Sequence, residues 1–409
     1  MRSIKAPRLV VRPAHERDVE AAKSWLGKES VAFSAALRDA PVTQLVAMYD
    51  DKPVAFGSAV ADGGKLKRRA LSIAPGAPAW RFAARFARAW RAFGEANGYG
   101  EIISETGTSL TPPGLASGAV RVAGVQYLQK QLGSEAEFGA TMRQHATVAG
   151  DYAADLVVFP ELFTLQLLSL PQGGKQLVGA AQIDRLTDHT EMIVTLGSTL
   201  ALEHDVNLVI GSHPSRQKDG RALNLAYVCG RDGAVHEQAK IHATPSERDA
   251  WGISGGDALA PIPTDIGPLG VLICYDVEFP ELARRLVDQG VRLIAVPFCT
   301  DDRHGYLRVR TCAHARAVEN QVDLVLAGNV GNLPGVYNMD LQYAQSCVLT
   351  PLDLPFARDG VAAEATANVE AMVIADLRLA DLDEARRAGT VRNLNDRRLD
   401  LYEVKWKGK

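Results

Sequence analysis

Two rhythms of apolar and polar residues divide the chain. From residue 119 onward, apolar runs of five to seven residues stop abruptly at polar or proline-bearing corners. They are Arg121–Tyr127, Ala154–Phe159, Val206–Ile210, Leu269–Cys274, Val291–Pro297 and Val322–Ala327. Runs this short and unbroken predict strands buried on both faces. Amphipathic spacing between them predicts helices over Ala136–Ala153, Gln182–His204, Pro280–Gln289 and Arg308–Asn320. Strands alternating with helices indicate α/β layering. Leu223–Cys229 and Ala234–Ala239 follow one another without a helix, so a mixed sheet is expected.

Ahead of this region the spacing is looser. A strand-like LVVRPA precedes a predicted helix over Glu16–Leu26. Strand-like runs at Thr43–Tyr49 and Pro53–Ala61 flank a turn at Asp50-Asp51-Lys52. Over residues 81–93, Phe82, Phe86, Trp90 and Phe93 share one helix face, and Arg81, Arg85, Arg88 and Arg91 lie opposite. That pattern reads as a core stripe with a solvated basic face rather than a nucleic-acid site. A strand at Glu101–Ser104 follows an Asn97-Gly98 turn. The small, Pro- and Gly-rich stretch Thr108–Gly118 is the clearest seam. The expected division is residues 1–108, a linker 109–118, a main domain 119–380 and a C-terminal extension 381–409.

Composition narrows the class. The 409 residues are 47% hydrophobic and 23% charged, as in globular proteins. No apolar run approaches the ~20 residues of a membrane span, and the charged start MRSIKAPRLVVR does not read as a secretion signal. Five cysteines, an odd number without a CxxC pair, argue against a zinc knot or disulfide framework and fit a cytoplasmic protein. The net charge of −3 hides an asymmetry. Residues 1–110 carry +6 (17 Lys and Arg, 11 Asp and Glu), which leaves −9 on the rest. Neither part is basic enough to imply a nucleic-acid partner, and the opposite signs suit a basic module leaning on an acidic one.

In layered α/β folds, reactive groups collect where strands end. One run, Val157-Val158-Phe159-Pro160-Glu161, stops at a proline and delivers a carboxylate. Another ends in Cys274, a thiol, with Pro280 placed to open a helix. Lys240 supplies an ammonium just past Ala239. A cysteine needs a base to become a thiolate at neutral pH, a buried carboxylate can be that base, and a fixed lysine can hold an oxyanion. Spacing alone leaves the plainer alternatives open: a surface glutamate and a buried filler thiol. His242 reads as a satisfied loop histidine. Cys299 and Cys312 read as core thiols, because no metal-ligand set assembles around them. Asp276 and Glu278 read as caps of the next helix or partners of arginines. Thr300, Asp301 and Asn329 follow strand ends and could face a substrate.

Three words change the weight of that set. FPELF (159–163), KIHATPSERDAWG (240–252) and GVLICYDVEFPELARRL (270–286) resemble the signature blocks of the carbon–nitrogen hydrolase (nitrilase) superfamily, in the family's order. The likeness runs on through RTCAHARAVENQ and LAGNVGN, over roughly residues 118–380. The resemblance implies a four-layer-type αββα sandwich. By position it makes Glu161 the general base and acid, Lys240 the oxyanion holder, Cys274 the nucleophile and Glu247 a second glutamate. The Tyr275 N–H would join Lys240 on the oxyanion. It implies cofactor- and metal-free hydrolysis of a non-peptide C–N bond in a small amide or nitrile through a thioester. The alternatives are transfer of the acyl group to an amine by the same residues, or N-acetyltransferase activity of the N-terminal domain. It also implies a homodimer or higher homo-oligomer, for which the alternating stretch Thr390–Trp406 is suited to lie against another surface.

The N-terminal words RLVVRPAHERDVEAA, VAMYDDKPVAFGSA and FAARFARAWRAFGEANGYGEIIS resemble a small GCN5-related acetyltransferase, which a branch of this superfamily carries ahead of its hydrolase. Such domains hold the acetyl-CoA pyrophosphate on exposed backbone N–H groups. The matching stretch here, Ile73–Trp80 (IAPGAPAW), has one glycine and two prolines that lack the donor. A degenerate module without acetyltransferase activity or a bound cofactor is therefore expected.

Overall fold

The computed structural model describes residues 9–37, 42–49, 52–62, 65–75, 86, 88–90, 93, 97, 101–103, 119–171 and 177–407. Two compact units emerge: Met1–Gly118 with 201–205 and 231–234, and Ala119–Leu200, Val206–Gly230 and Val235–Lys409.

The first unit is a five-stranded sheet in chain order: β1 (Leu9–Pro13), β2 (Val42–Tyr49), β3 (Lys52–Asp62), β4 (Lys65–Ile73) and β5 (Glu101–Ile103). The first four strands are antiparallel, and β5 runs parallel to β4. Period-two alternation buries both faces. Val46 packs with Val19, Leu26, Phe33 and Phe56, while Leu45 and Ala47 pack with Phe86 and Trp90. The expected aromatic stripe is thus in the core at Phe86 and Trp90. Phe82, Arg81, Arg85 and Arg91 lie outside the described residues, as do the Asp50-Asp51 turn, Gly76–Trp80 and the seam at 108–118. The helix Glu16–Leu26 forms where expected. The helix Glu29–Ala36 and strand β4 were not anticipated. In β4 (KLKRRALSI) the cations obscure an alternation that buries Leu66.

The second unit is a mixed sheet in the order β10-β9-β8-β7-β6-β13-β12-β11. The strands are β6 (Val120–Gln129), β7 (Leu156–Val158), β8 (Asn207–Arg216), β9 (Ala222–Cys229), β10 (Val235–Ala239), β11 (Leu269–Val271), β12 (Leu293–Phe298) and β13 (Asp323–Gly331). From β8 to β11 all neighbours are parallel, and β9 and β10 add antiparallel. Strand β6 has three partners: β7, the antiparallel β16 (Ala371–Leu377), and β13 through its last residues. Two further strands, β14 (Cys347–Leu349) and β15 (Val361–Glu364), extend from β13. β12 and nearly all of β13 are buried along their length, as unbroken apolar runs require.

Two expected elements change their bounds. The helix expected over Gln182–His204 is two, Ala180–Thr187 and Thr190–His204. His189 marks the break, its Nδ1 turned 3.1 Å from Glu135 Oε1. The strand expected to run into Cys274 stops at Val271, and Cys274 opens a 3₁₀ turn to Glu278. Strands β14 to β16 and the helix Leu379–Ala388 lie beyond what the apolar rhythm revealed. Among the described residues no helix is long and apolar enough to cross a membrane.

Candidate active site

Because β8, β7, β6, β13, β12 and β11 are parallel, their C-terminal ends lie on one side of the sheet. β10 points the same way, and antiparallel β9 begins there. Glu161 follows β7, Lys240 follows β10, Cys274 follows β11, Cys299 follows β12, Asn329 lies near the end of β13 and Asn224 near the start of β9.

β7 ends because Pro160 has no N–H to extend the ladder. Leu162 then turns at φ 57°, a left-handed conformation costing a leucine about 1 kcal/mol. β8 makes room for this turn. Its pairing with β9 slips between Ile210 and His213, a bulge built on Gly211 at φ 20°. A Cβ on Gly211 would fall on the Pro160 carbonyl. The close approach lets Ser212 N–H donate to Pro160 O (3.3 Å), while Leu162 N–H donates to Ser212 O and Oγ (both 3.2 Å). Behind them His213 bridges Thr164 and Thr190, with both ring nitrogens 3.0 Å from a hydroxyl. Burial pushes its pKa down to about 3, so it is a neutral strut. Asn329 Nδ2 donates to the Glu161 carbonyl (2.6 Å).

The Glu161 carboxylate is buried. Oε1 accepts from Lys240 Nζ (2.7 Å) and Asn224 Nδ2 (3.2 Å). Lys240 Nζ also donates to Glu247 Oε2 (2.6 Å). Glu247 is the third residue of the helix Pro245–Trp251. There it serves the capping box with Thr244, accepting from the Thr244 N–H (2.8 Å), and its Oε1 accepts from Asn224 (2.9 Å). Glu247, the second glutamate of the resemblance, thus stands in a buried ion pair with Lys240.

Burial dominates the electrostatics. It pushes Glu161 up to about 7; Lys240 pulls the other way and Glu247 adds to the rise. Burial also acts on Glu247, but Lys240 and the Thr244 and Asn224 hydrogen bonds outweigh it and hold the carboxyl below its usual range. Burial pulls the Lys240 pKa down, yet the two carboxylates outweigh it and keep it well above the ordinary lysine range. For Cys274, burial and then the Glu161 charge raise the thiol well above normal, so it rests protonated. Cys274 sits at φ 48°, a second strained left-handed residue, and its thiol points at the Cys299 carbonyl (3.8 Å).

Among the described residues Asp276 neither caps the next helix nor pairs with an arginine. Its buried carboxylate accepts the N–H groups of Ile241 (3.1 Å) and His242 (2.8 Å) and the His242 ring (3.1 Å). It therefore ties the Lys240 loop to the Cys274 turn. Glu278 pairs with Arg308 (3.1 Å), as expected. The His242 ring stacks on Phe279, centroids 3.7 Å apart. Cys299, expected in the core, comes to the site instead. Its thiol lies 2.9 Å from Gln342 Oε1 and feels the Glu161 charge. Thr300 spends its hydroxyl on the Tyr343 carbonyl (2.7 Å), Asp301 is exposed and Tyr275 half-buried. Sequence reading missed Asn224 and Gly211, and gave Asp276 another role. The signals were a lone amide in the apolar run ALNLAYV and a glycine inside a strand.

Residues 121–387 match the carbon-nitrogen hydrolase family model. "Probable hydrolase YhcX" of Bacillus subtilis is 46% identical over 288 residues, 70% of this chain and 55% of that protein. An (R)-stereoselective amidase of Pseudomonas sp is 35% identical over 191 residues, 47% of this chain and 64% of that one. The chain thus spans between half and two thirds of the length of these two relatives. Among solved structures, a carbon–nitrogen hydrolase from Helicobacter pylori G27 superposes with a TM-score of 0.58 at 22% identity, over 70% of this chain and 97% of its own, a likeness of fold. With two thirds of its length inside the family's span and its ionisable side chains gathered at one sheet end, this chain belongs to the carbon–nitrogen hydrolase family.

Proposed function

We propose that the protein is a cofactor-independent, amidase-type hydrolase of small non-peptide C–N bonds, working through a Cys274 thioester. One observation carries this reading: a buried ammonium, Lys240, is held by Glu161 and Glu247 at the sheet end where Cys274 emerges. An ammonium has three N–H donors. Two go to the carboxylates, and the third is left for a substrate oxygen. Glu161, near pH 7 in its proton affinity, takes the thiol proton as Cys274 attacks the amide carbon. Lys240 and the Tyr275 N–H receive the developing oxyanion. Glu161 returns the proton to the departing amine, then activates the water that cleaves the thioester. Glu247 stays ionised and keeps Lys240 charged. Thr300, Asp301 and Asn329, past or near strand ends on this side of the sheet, are read as facing the substrate.

Ammonia release from a panel of small amides, carbamoyl compounds and nitriles tests the reading, with Cys274→Ala beside the wild type. Turnover that survives Cys274→Ala would refute it. Acyl transfer to added amines in preference to water would make the same site an acyltransferase.

Three finer readings accompany it. The hydrolase unit takes the αββα layering of its family. The N-terminal unit is an acetyltransferase-like module without activity, a view supported by antiparallel β1–β4 with a parallel β5. Calorimetry with acetyl-CoA tests it, micromolar affinity being the contrary result. The protein works in the cytoplasm as a homo-oligomer. Leu399, Leu401, Tyr402 and Val404 are all more than half exposed, although Arg285 over Trp406 (4.5 Å) ties the tail's end down. A monomer in sedimentation at micromolar concentration would contradict it.

A further inference from the structure

Asn224 is fully buried in an otherwise apolar stretch, Ala222-Leu223-Asn224-Leu225-Ala226. A buried amide is costly unless it is bonded, so its contacts show what it is kept for. Its backbone carbonyl accepts the Lys240 N–H (2.9 Å). Its Nδ2 lies 3.2 Å from Glu161 Oε1 and 2.9 Å from Glu247 Oε1. The nitrogen has two hydrogens, one for each carboxylate. Both neighbours accept when ionised, so the nitrogen must face them. Oδ1, turned away, has no hydrogen-bond partner among the described residues.

We propose that Asn224 is a positioning residue that divides its two amide N–H groups between Glu161 and Glu247, holding the first as a proton acceptor for Cys274 and the second as the ionised partner of Lys240. The inference rests on Glu161 being the general base. Glu161 is faced by Lys240 from the end of β10, by Glu247 from the helix Pro245–Trp251, by Cys274 from the turn after β11 and by Cys299 from the end of β12. Lys240 alone would draw both carboxylates to one point, where they repel. The shared amide gives each its own donor and fixes their separation. A hydrogen bond donated to a carboxylate favours its ionised form, so loss of this N–H raises the Glu161 pKa.

The test is the pH dependence of two rates in the full-length protein. One is alkylation of Cys274 by iodoacetamide, followed by peptide mass mapping. The other is turnover of the fastest amide from the panel above. In Asn224→Leu, similar in size and without donors, the acid limb of both should move up by about one pH unit. Asn224→Asp, which adds a charge, should move it further, and Asn224→Ser, still a donor, should stay nearer the wild type. In Asn224→Leu kcat should fall about tenfold, with KM changed less than about twofold. An unmoved acid limb in folded variants, or a loss confined to KM, would overturn the proposal. Loss of the fold in all three would overturn it too, by making Asn224 structural. Glu161→Gln separates the two failures: if it is inactive while the limb stays put, only the role of Asn224 falls, and if it is active, the base assignment falls.

Discussion

At its last turn β13 sets Asn329 beneath Glu161, in a cluster where buried carboxylate, ammonium and amide are bonded to one another. At its first residue the same strand buries Asp323, with one oxygen lacking any hydrogen-bond partner among the described residues. The neighbouring cation does not serve it, because Arg386 donates to the Gln321 carbonyl (3.1 and 2.8 Å). Burial raises both carboxyls. Glu161 is restrained near 7 by Lys240, whereas Asp323 goes well above its usual range, burial outweighing the opposing Arg386 charge and Asp381 adding to the rise. One end of the sheet tolerates buried charge because each charge has a partner. The other tolerates a carboxyl by keeping it protonated.

Substitutions at four residues probe that contrast. Cys274→Ala should cost at least about 10³-fold in turnover while leaving the melting curve almost unchanged, since the thiol rests neutral; a variant within tenfold of the wild type would break the comparison at its centre. Lys240→Ala should lose at least about 10²-fold in kcat and destabilise by roughly 3–5 kcal/mol, because two buried carboxylates lose their cation. Lys240→Arg should not restore the rate, the guanidinium being planar and larger; chemical denaturation alongside kinetics reads both effects. Gly211→Ala should push Pro160 and displace Glu161, for a loss on the order of 10-fold to 10²-fold in kcat. An active, equally stable Ala variant would show that the β8 bulge does not set the carboxylate.

The smallest effect belongs to Asp323. Its folded pKa is raised above the unfolded value, so the stability it contributes is present below the ordinary carboxylate range and is lost as pH rises through the raised value. Asp323→Asn should therefore raise Tm by a few degrees at pH 8 and by little at pH 5. Equal melting temperatures for variant and wild type at pH 8 would mean that Asp323 carries no such penalty.

The cluster end was partly legible in the sequence because its chemistry lies in contiguous words. Pro160-Glu161, Lys240 and Cys274 each terminate a run, and a strand end advertises itself locally. Asn224 does not: only the antiparallel entry of β9 brings its amide to the ends of β7 and β10. Asp276 resembled a helix cap because sequence cannot show that the Ile241 and His242 N–H groups arrive from another loop. The two helices at 180–204 looked like one because their apolar spacing runs on across the break at His189, whose ring meets Glu135 from another helix. Strand β4 was hidden by its own lysines and arginines. Cys299 looked like any core thiol, and only the parallel register of β11 and β12 sets it beside Cys274.

Lys240 is bridged by two carboxylates with a protonated thiol beside them, so with both carboxylates ionised the four side chains together carry a single negative charge. In the proposed mechanism that total does not change when the thiol proton passes to Glu161, nor when a neutral amide is attacked and its oxygen takes up the charge. No counterion has to enter or leave the pocket at any step, and the charge merely migrates among groups that salt cannot screen. The chemical step should accordingly be indifferent to ionic strength, and any salt dependence of turnover would report on the approach or departure of the substrate.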